Sequence, residues 1–273
     1  MSLFPRSFST LRHISTGRLQ IQLTRTATTH FGYEQVDEAE KEKRVHKVFA
    51  NVAAKYDLMN DAMSMGVHRL WKDYYVGGLS LANNSKVLDV AGGTGDIAFR
   101  LQRRLTSGNV TVFDINQNML DVGMERAKTE PGVDLKRMEW VCGNAEHLPF
   151  EKNTFDAYTI SFGIRNCTHV DKVVSEAFRV LKPGGLFTVL EFSAVNRALK
   201  PFYDLYSFNI IPVMGEVLAS DHASYKYLVE SIRKFPDQEK FAKMIREAGF
   251  ERVNYENLTF GVCAIHKGIK PKV

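Results

Sequence analysis

Val87-Leu88-Asp89-Val90-Ala91-Gly92-Gly93-Thr94-Gly95-Asp96 joins an apolar run, a carboxylate and a glycine-rich turn. The run reads as a buried strand that breaks into a turn opening a helix. Glycines there let a ligand approach the backbone, and the helix start offers free N–H groups. A second strand over Val110–Phe113 ends on Asp114. A carboxylate at that separation, about 20 residues on, can accept both hydroxyls of a ribose. Together these groups point to a cofactor that contains adenosine.

Two such cofactors fit. Gly93 to Ala98 formally satisfies the dinucleotide pattern G-x-G-x-x-G/A, which alone is weak evidence. S-adenosyl-L-methionine accounts for more of the chain. Asp89 lies within the first strand, two residues before the glycines, where methyltransferases usually carry an acid. A third strand, Met138–Cys142, leads into Gly143-Asn144-Ala145-Glu146. There Asn144 offers a donor and an acceptor to adenine, with Ala145 beside it. Ser161 ends a fourth strand, near where a sulfonium would lie. Leu181-Lys182-Pro183-Gly184-Gly185 before the strand Leu186–Phe192 is a familiar methyltransferase turn. Thr94 is placed to meet the methionine part, and Gly93 and Gly95 serve close approach.

The elements that must hold these groups alternate strand and helix from Lys86 to Phe192, which predicts a parallel sheet. Ahead of them, Glu38–Ala54 carries Val45, Val48, Phe49 and Val52 at helical spacing, and Tyr56–Asn60 breaks that helix. A second helix runs from Ser64 through Tyr75 and stops at Gly77-Gly78. Beyond the sheet, Ala194–Ile232 is rich in large apolar residues, and a helix over Asp237–Ala248 ends at Gly249. Two last strands, Arg252–Asn257 and Leu258–His266, form a reversed hairpin. The expected fold is α/β: a class I, Rossmann-like methyltransferase with a seven-stranded sheet, a terminal antiparallel hairpin, N-terminal helices and an α-helical lid over 194–235. Residues 1–35 are read as a mitochondrial transit peptide and linker, and 36–273 as the methyltransferase domain.

Charge supports that division. The net charge is +5 over 273 residues. Arg6, Arg12, Arg18 and Arg25 precede the first acidic residue, Glu34, among many Ser and Thr. An Arg-rich, acid-free start is the mark of a mitochondrial presequence. Without those four arginines the chain has 32 basic against 31 acidic residues, so no nucleic-acid partner is expected. No apolar run reaches the length of a membrane span. Cys142, Cys167 and Cys263 show no C-x-x-C and no metal-ligand spacing, so no metal is expected. Cys142 and Cys263, in strand-like runs, read as core thiols.

With these pieces assembled, the chain resembles the ubiquinone/menaquinone biosynthesis C-methyltransferase family from about Val48 to the C-terminus. The resemblance rests on Lys55-Tyr56-Asp57-Leu58-Met59-Asn60-Asp61, His68-Arg69-Leu70-Trp71-Lys72 and Ile160-Ser161-Phe162-Gly163-Ile164-Arg165-Asn166. It rests equally on Val189-Leu190-Glu191-Phe192-Ser193 and Tyr225-Lys226-Tyr227-Leu228-Val229-Glu230-Ser231-Ile232. The resemblance implies methylation of a ring carbon of a polyprenylated benzoquinol. It places cofactor contacts at Thr94, Asp114, Asn144, Ala145 and Ser161, and catalysis at Arg165 and Asn166. The presequence resembles the mitochondrial branch, since bacterial members lack one. That branch implies a peripheral protein on the matrix face of the inner membrane, in a multiprotein ubiquinone-biosynthesis complex. A homodimer is also expected. Demethylmenaquinol methylation, a scaffold that retains its cofactor pocket, and a dehydrogenase remain the alternatives.

The implied reaction defines what the residues must do. A sulfonium already activates the methyl group, so the protein must align the ring carbon and enrich it in electrons. Loss of the neighbouring hydroxyl proton does the latter, which calls for a base or a fixed cation at that oxygen. Arg165 is a poor base, with a pKa above about 12, and suits the cation. Asn166 would hold the oxygen or a water. Alternatively Arg165 pairs with an acid and braces its loop. Asp89 reads either as a support for the cofactor site or as an ordinary buried acid. Tyr56 and Asp57 either close over the cofactor or pack. His68 and His222 are titratable near neutrality, and Glu191 is a further candidate base. Phe202–Leu218 reads as a lid or groove for the isoprenoid tail, with dimer contact as the rival use.

Overall fold

The computed structural model describes residues 27–52, 56–219 and 221–272, without the side chains of 50–52, 56–59 and 218–219. The hairpin β1 (Thr28–Phe31) and β2 (Glu34–Asp37) leads into helices α1 (Glu38–Val52), α2 (Tyr56–Ser64) and α3 (Val67–Gly77). The alternating body follows as β3 (Lys86–Val90), α4 (Asp96–Arg104), β4 (Asn109–Asp114), α5 (Gln117–Ala127), β5 (Met138–Cys142), β6 (Phe155–Ser161), α6 (Val170–Val180) and β7 (Leu181–Phe192). Helices α7 (Lys200–Leu205), α8 (Ile211–Ala219) and α9 (His222–Lys234) form the insertion, with a π-helical turn over Tyr206–Ile210. Helix α10 (Gln238–Glu247) precedes β8 (Glu251–Leu258) and β9 (Cys263–Ile269).

The seven-stranded sheet has the order β5-β4-β3-β6-β7-β9-β8, in which β9 runs antiparallel to both neighbours. Val87, Leu88, Ala157, Tyr158 and Ile160 are almost fully buried. Such near-continuous apolar strands are what a sheet covered on both faces requires. One face packs Phe113, Tyr158, Phe187 and Phe241, and the other Tyr75, Leu101, Val112 and Leu190. Register then positions the site. Val90 lies opposite both Phe113 and Ile160, so Ala91, Asp114 and Ser161 emerge together at the carboxyl edge. That edge, where strand order reverses between β3 and β6, is where open α/β sheets bind ligands.

The structure departs from the sequence reading in several places. Tyr56–Asn60 does not break a helix; it begins α2. The stop comes later, where Met65 (φ 50°) and Gly66 (φ 75°) turn left-handed and Gly66 N–H donates to Asp61 O at 2.9 Å. Strand β7 starts at Leu181 rather than Leu186, because the Lys182–Gly185 turn is a bulge inside it. Cys142 is exposed rather than a core thiol, since β5 is an edge strand, whereas Cys263 is buried. The boundary drawn at residue 36 falls inside β2. Phe31 of that hairpin stacks on Tyr227 of α9 at 4.1 Å, and Tyr33 N–H donates to Glu230 Oε2 at 3.2 Å. The predicted transit segment up to residue 26 lies outside the described residues.

Phe187 sits between Tyr158, at 5.5 Å, and Phe250, stacked at 4.8 Å. Phe187→Ala should therefore cost about 3–5 kcal/mol. Urea unfolding checks this: the midpoint should fall while the slope stays unchanged.

Candidate active site

A cavity of about 520 Å³ opens at the carboxyl edge. Gly93, Thr94, Asp114, Asn144, Ala145 and Ser161 all line it, and so do Arg165 and Asn166. Gly95 does not. It adopts φ 83° to start α4, and a Cβ there would lie 2.8 Å from Phe99 and Trp140. Its role is the close packing of the turn.

At one end, Asp114 accepts from Gly93 N–H at 2.9 Å and from Asn116 N–H at 2.8 Å. Burial raises its pKa, and those backbone donors partly offset the rise. Asn144 Oδ1 accepts from Glu146 N–H at 2.9 Å, which orients the amide. Thr94 Oγ1 accepts from Arg126 Nη1 at 2.8 Å, so this hydroxyl is already engaged. Helix α1 roofs this end with Glu42 and His46, held by Asn116 Nδ2 donating to His46 O at 3.3 Å.

Beneath the turn, Asp89 Oδ1 accepts from Thr159 Oγ1 at 2.6 Å, while Oδ2 has no partner. Burial pushes this carboxyl up to about 7. Ser161 Oγ is likewise buried and without a hydrogen bond. Orphaned polar atoms are uncommon in folded proteins. Two of them on residues lining one cavity, with a ribose-spaced acid and an adenine-edge amide, fit S-adenosylmethionine. Burial alone would raise Asp96, but Lys72, at 2.7 Å, and Arg100 overcome this and hold its carboxyl well below the usual range.

At the other end, Arg165 is paired with an acid, the second of the two readings its sequence position allows. Its guanidinium pairs with Glu191 at 2.8 Å, donates to Phe162 O and lies 5.3 Å from the Phe192 ring centroid. The two side chains are 5% and 1% exposed. Burial raises Glu191, and Arg165 pulls it back. Glu191 is therefore the partner of Arg165 and not a free base. Asn166 Oδ1 accepts from the Tyr227 hydroxyl at 3.0 Å.

Sequence reasoning missed the clamps that hold this turn. Buried Lys41 donates to Cys167 O at 2.9 Å. Glu146 accepts from Thr168 and His169 N–H, each at 2.9 Å, and meets His169 Nδ1 at 2.7 Å. His169 Nε2 reaches Glu38 of α1 at 3.0 Å. The available signal was Lys41 itself, four residues before Val45 on the apolar stripe of α1.

His68 lines the cavity, with Nε2 2.8 Å from Asp61 Oδ1. His222 is exposed and does not line it, which removes it as a base. The side chains of Tyr56 and Asp57 lie outside the described residues. In the insertion, Tyr203, Tyr206 and Ile211 face the cavity. Phe202 and Val217, each 74% exposed, and Leu205, Phe208 and Val213 face outward.

A reversed terminal hairpin on a parallel sheet, with Asp114, Asn144 and Ser161 gathered at its carboxyl edge, is the architecture of a class I S-adenosylmethionine-dependent methyltransferase. A solved SAM-dependent methyltransferase from Thermotoga maritima, described as a possible histamine N-methyltransferase, shares this fold. It aligns with a TM-score of 0.59 at 18% identity over 82% of this chain and 98% of that one. The model of the ubiE/COQ5 methyltransferase family matches residues 37–270, and the chain belongs to that family. The mitochondrial 2-methoxy-6-polyprenyl-1,4-benzoquinol methylase of Caenorhabditis elegans is 71% identical over 89% of this chain and 86% of its own length. The ubiquinone/menaquinone biosynthesis C-methyltransferase UbiE of Roseobacter denitrificans is 54% identical over 89% and 97%.

Asp89 generates a pH prediction. A carboxyl raised on folding adds stability that is fully present below its ordinary value, about 4, and lost as pH rises through its folded value. That value is about 7. Relative to Asp89→Asn, the cofactor-free wild type should lose about 1.4 kcal/mol per pH unit between those limits. Urea unfolding of both proteins from pH 5 to 8 measures the difference.

Proposed function

We propose that this chain transfers a methyl group from S-adenosylmethionine to a ring carbon of 2-methoxy-6-polyprenyl-1,4-benzoquinol in ubiquinone biosynthesis. One observation carries the reading. A single cavity has adenosine-recognising groups at one end and the buried Arg165–Asn166 turn, beside an aromatic wall, at the other. The names of the worm and bacterial relatives support the choice of quinol.

Thr94, Asp114, Asn144, Ala145 and Ser161 bind the cofactor, with Gly93 giving it room. When bound, it supplies a methyl group already activated by the sulfonium. Arg165 and Asn166 are the catalytic pair, and they hold the quinol oxygen as it gains charge. Glu191 and Phe162 O keep the guanidinium from swinging. Because Tyr227 occupies Asn166 Oδ1, the Nδ2 donor is the group left for that oxygen. A fixed cation and an amide donor in a dry site stabilise a phenolate far more than water does.

The isoprenoid tail passes along Tyr203, Tyr206 and Ile211. The outward apolar face of α7 and α8 rests on the matrix side of the mitochondrial inner membrane, from which such a substrate must be drawn. No helix among the described residues is long and apolar enough to cross a membrane, which suits peripheral contact. The protein works as a homodimer within a complex of ubiquinone-biosynthesis proteins.

Label from S-adenosylmethionine should move to the ring carbon of a short-chain 2-methoxy-6-prenyl-benzoquinol. Asn166→Ala and Arg165→Lys should lower kcat by about 10²–10³-fold. Calorimetry should find cofactor affinity within about twofold of wild type, since neither residue touches the nucleoside. Label appearing only on a demethylated naphthoquinol would replace the substrate.

A further inference from the structure

We propose that His68 is the base that removes the quinol hydroxyl proton, with Asp61 holding its imidazole in the receptive tautomer. The proposal rests on the methylation reading above and supplies the acceptor that reading lacks.

Three observations carry it. First, the tautomer follows from Asp61. Arg69 grips that carboxylate at 2.7 Å through both Nε and Nη2, and His68 adds a third contact. These contacts hold Asp61 well below the usual carboxylate range, so it is ionised and can only accept. Nε2 of His68 must then be the donor, which leaves Nδ1 as the acceptor. Nδ1 is buried and has no hydrogen bond among the described residues. A base oriented by a carboxylate on its far nitrogen is the recurring form of an activated imidazole.

Second, burial favours the uncharged imidazole. Burial lowers its pKa, and Lys72 nearby lowers it further, against the opposing pull of Asp61 and Asp96. These four charged groups surround it: Asp61 on α2, Arg69 and Lys72 on α3, and Asp96 on α4. Arg69 is bound to Asp61 and Lys72 to Asp96, so neither occupies Nδ1.

Third, His68 stands at the reacting end. Helical spacing puts His68, Trp71 and Lys72 on one face of α3. Lys72 reaches Asp96 at the start of α4. Trp71 lies 6.3 Å from Phe162 and 6.4 Å from Phe192, the ring that carries Arg165. His68 lines the cavity about one helical turn from Trp71 and Lys72, which reach the aromatic wall beside Arg165 and the start of α4. Of the other carboxylates that line the cavity, Glu146 is committed to three donors, Asp114 to two backbone N–H groups, Asp96 to Lys72 and Arg100, and Glu38 to His169, while Glu42 stands on α1 at the opposite end. Asp89 lies behind Gly92, in the sheet.

The proton moves from the quinol O–H to Nδ1, leaving a phenolate beside Arg165 and Asn166. The ring carbon then forms its bond to the methyl carbon, and the S–C bond breaks with its electron pair staying on sulfur. The ring carbon sheds its own proton to solvent, and the imidazolium returns the first proton to the oxygen. One proton is released in all.

The test uses the whole protein with S-adenosylhomocysteine and the short-chain quinol under anaerobic conditions. The phenolate absorbance of the bound quinol is read against pH, beside the kcat profile. Wild type should show the phenolate band near neutrality, lost on acidification with one proton. His68→Gln should lack that band near pH 7. Its kcat should fall about 10²–10⁴-fold and recover as pH rises toward the quinol's own ionisation. Asp61→Asn should shift both profiles the same way, and S-adenosylhomocysteine affinity should stay at the wild-type level in both variants. A His68→Gln protein that keeps the band and the wild-type profile overturns the proposal. If that variant does not fold, Asp61→Asn and an NMR titration of the wild-type imidazole with bound quinol decide it. An imidazole that stays neutral while the band forms overturns it too. Wild type that methylates no quinol refutes the broader reading instead.

Discussion

The buried ion pair between Arg165 and Glu191 is the constraint around which the site is built. Two charges taken so far from water are costly unless geometry and further hydrogen bonds compensate. Glu191 comes from the end of β7 and Arg165 from the turn after β6, so the pair ties adjacent strands at their carboxyl ends. Phe162 O and the N–H groups of Phe192 and Arg165 add to its coordination, while Arg165 Nε has no hydrogen bond among the described residues. A guanidinium held this way cannot relax toward solvent. It presents a fixed cation to the cavity, and its charge is already balanced by Glu191.

The roof obeys the same logic of compensated burial. Helix α1 covers the Asp114 end of the cavity, and much of what holds it down is polar. Lys41 satisfies the carbonyl of Cys167, and His169 bridges Glu38 to Glu146. Glu146 in turn caps the turn that carries Asn166. Helix α1 and the Arg165–Asn166 turn are therefore parts of one hydrogen-bonded body.

Much of this was legible in the chain. Buried strands announce themselves as continuous apolar runs, and the carboxyl-edge residues Asp114, Asn144 and Ser161 follow once those runs are aligned. Arg165 and Asn166 were found through their turn and the resemblance. The pairing with Glu191 was only one of two options, because a partner 26 residues away depends on strand register. Lys41, Glu146 and His169 were passed over, since charged residues in charged helices and loops read as solvent-facing until packing buries them. Tyr56–Asn60 reads as a break in the sequence although it begins α2, whose stop is the left-handed Met65-Gly66 pair downstream. The inward and outward faces of α7 and α8 could not be separated, as a π-turn resets the helical phase between them.

The hairpin at the amino end touches the far end of the chain: Tyr33 meets Glu230 across 197 residues. During synthesis the first strands of the folded body emerge long before the helix that receives them. The hairpin can dock only once α9 has formed, whereas α1 meets partners that precede α9 in the chain, at Asn116, Cys167 and His169. Seating the hairpin therefore closes a long loop, and the entropic cost of that closure grows only slowly with the length of chain between its ends.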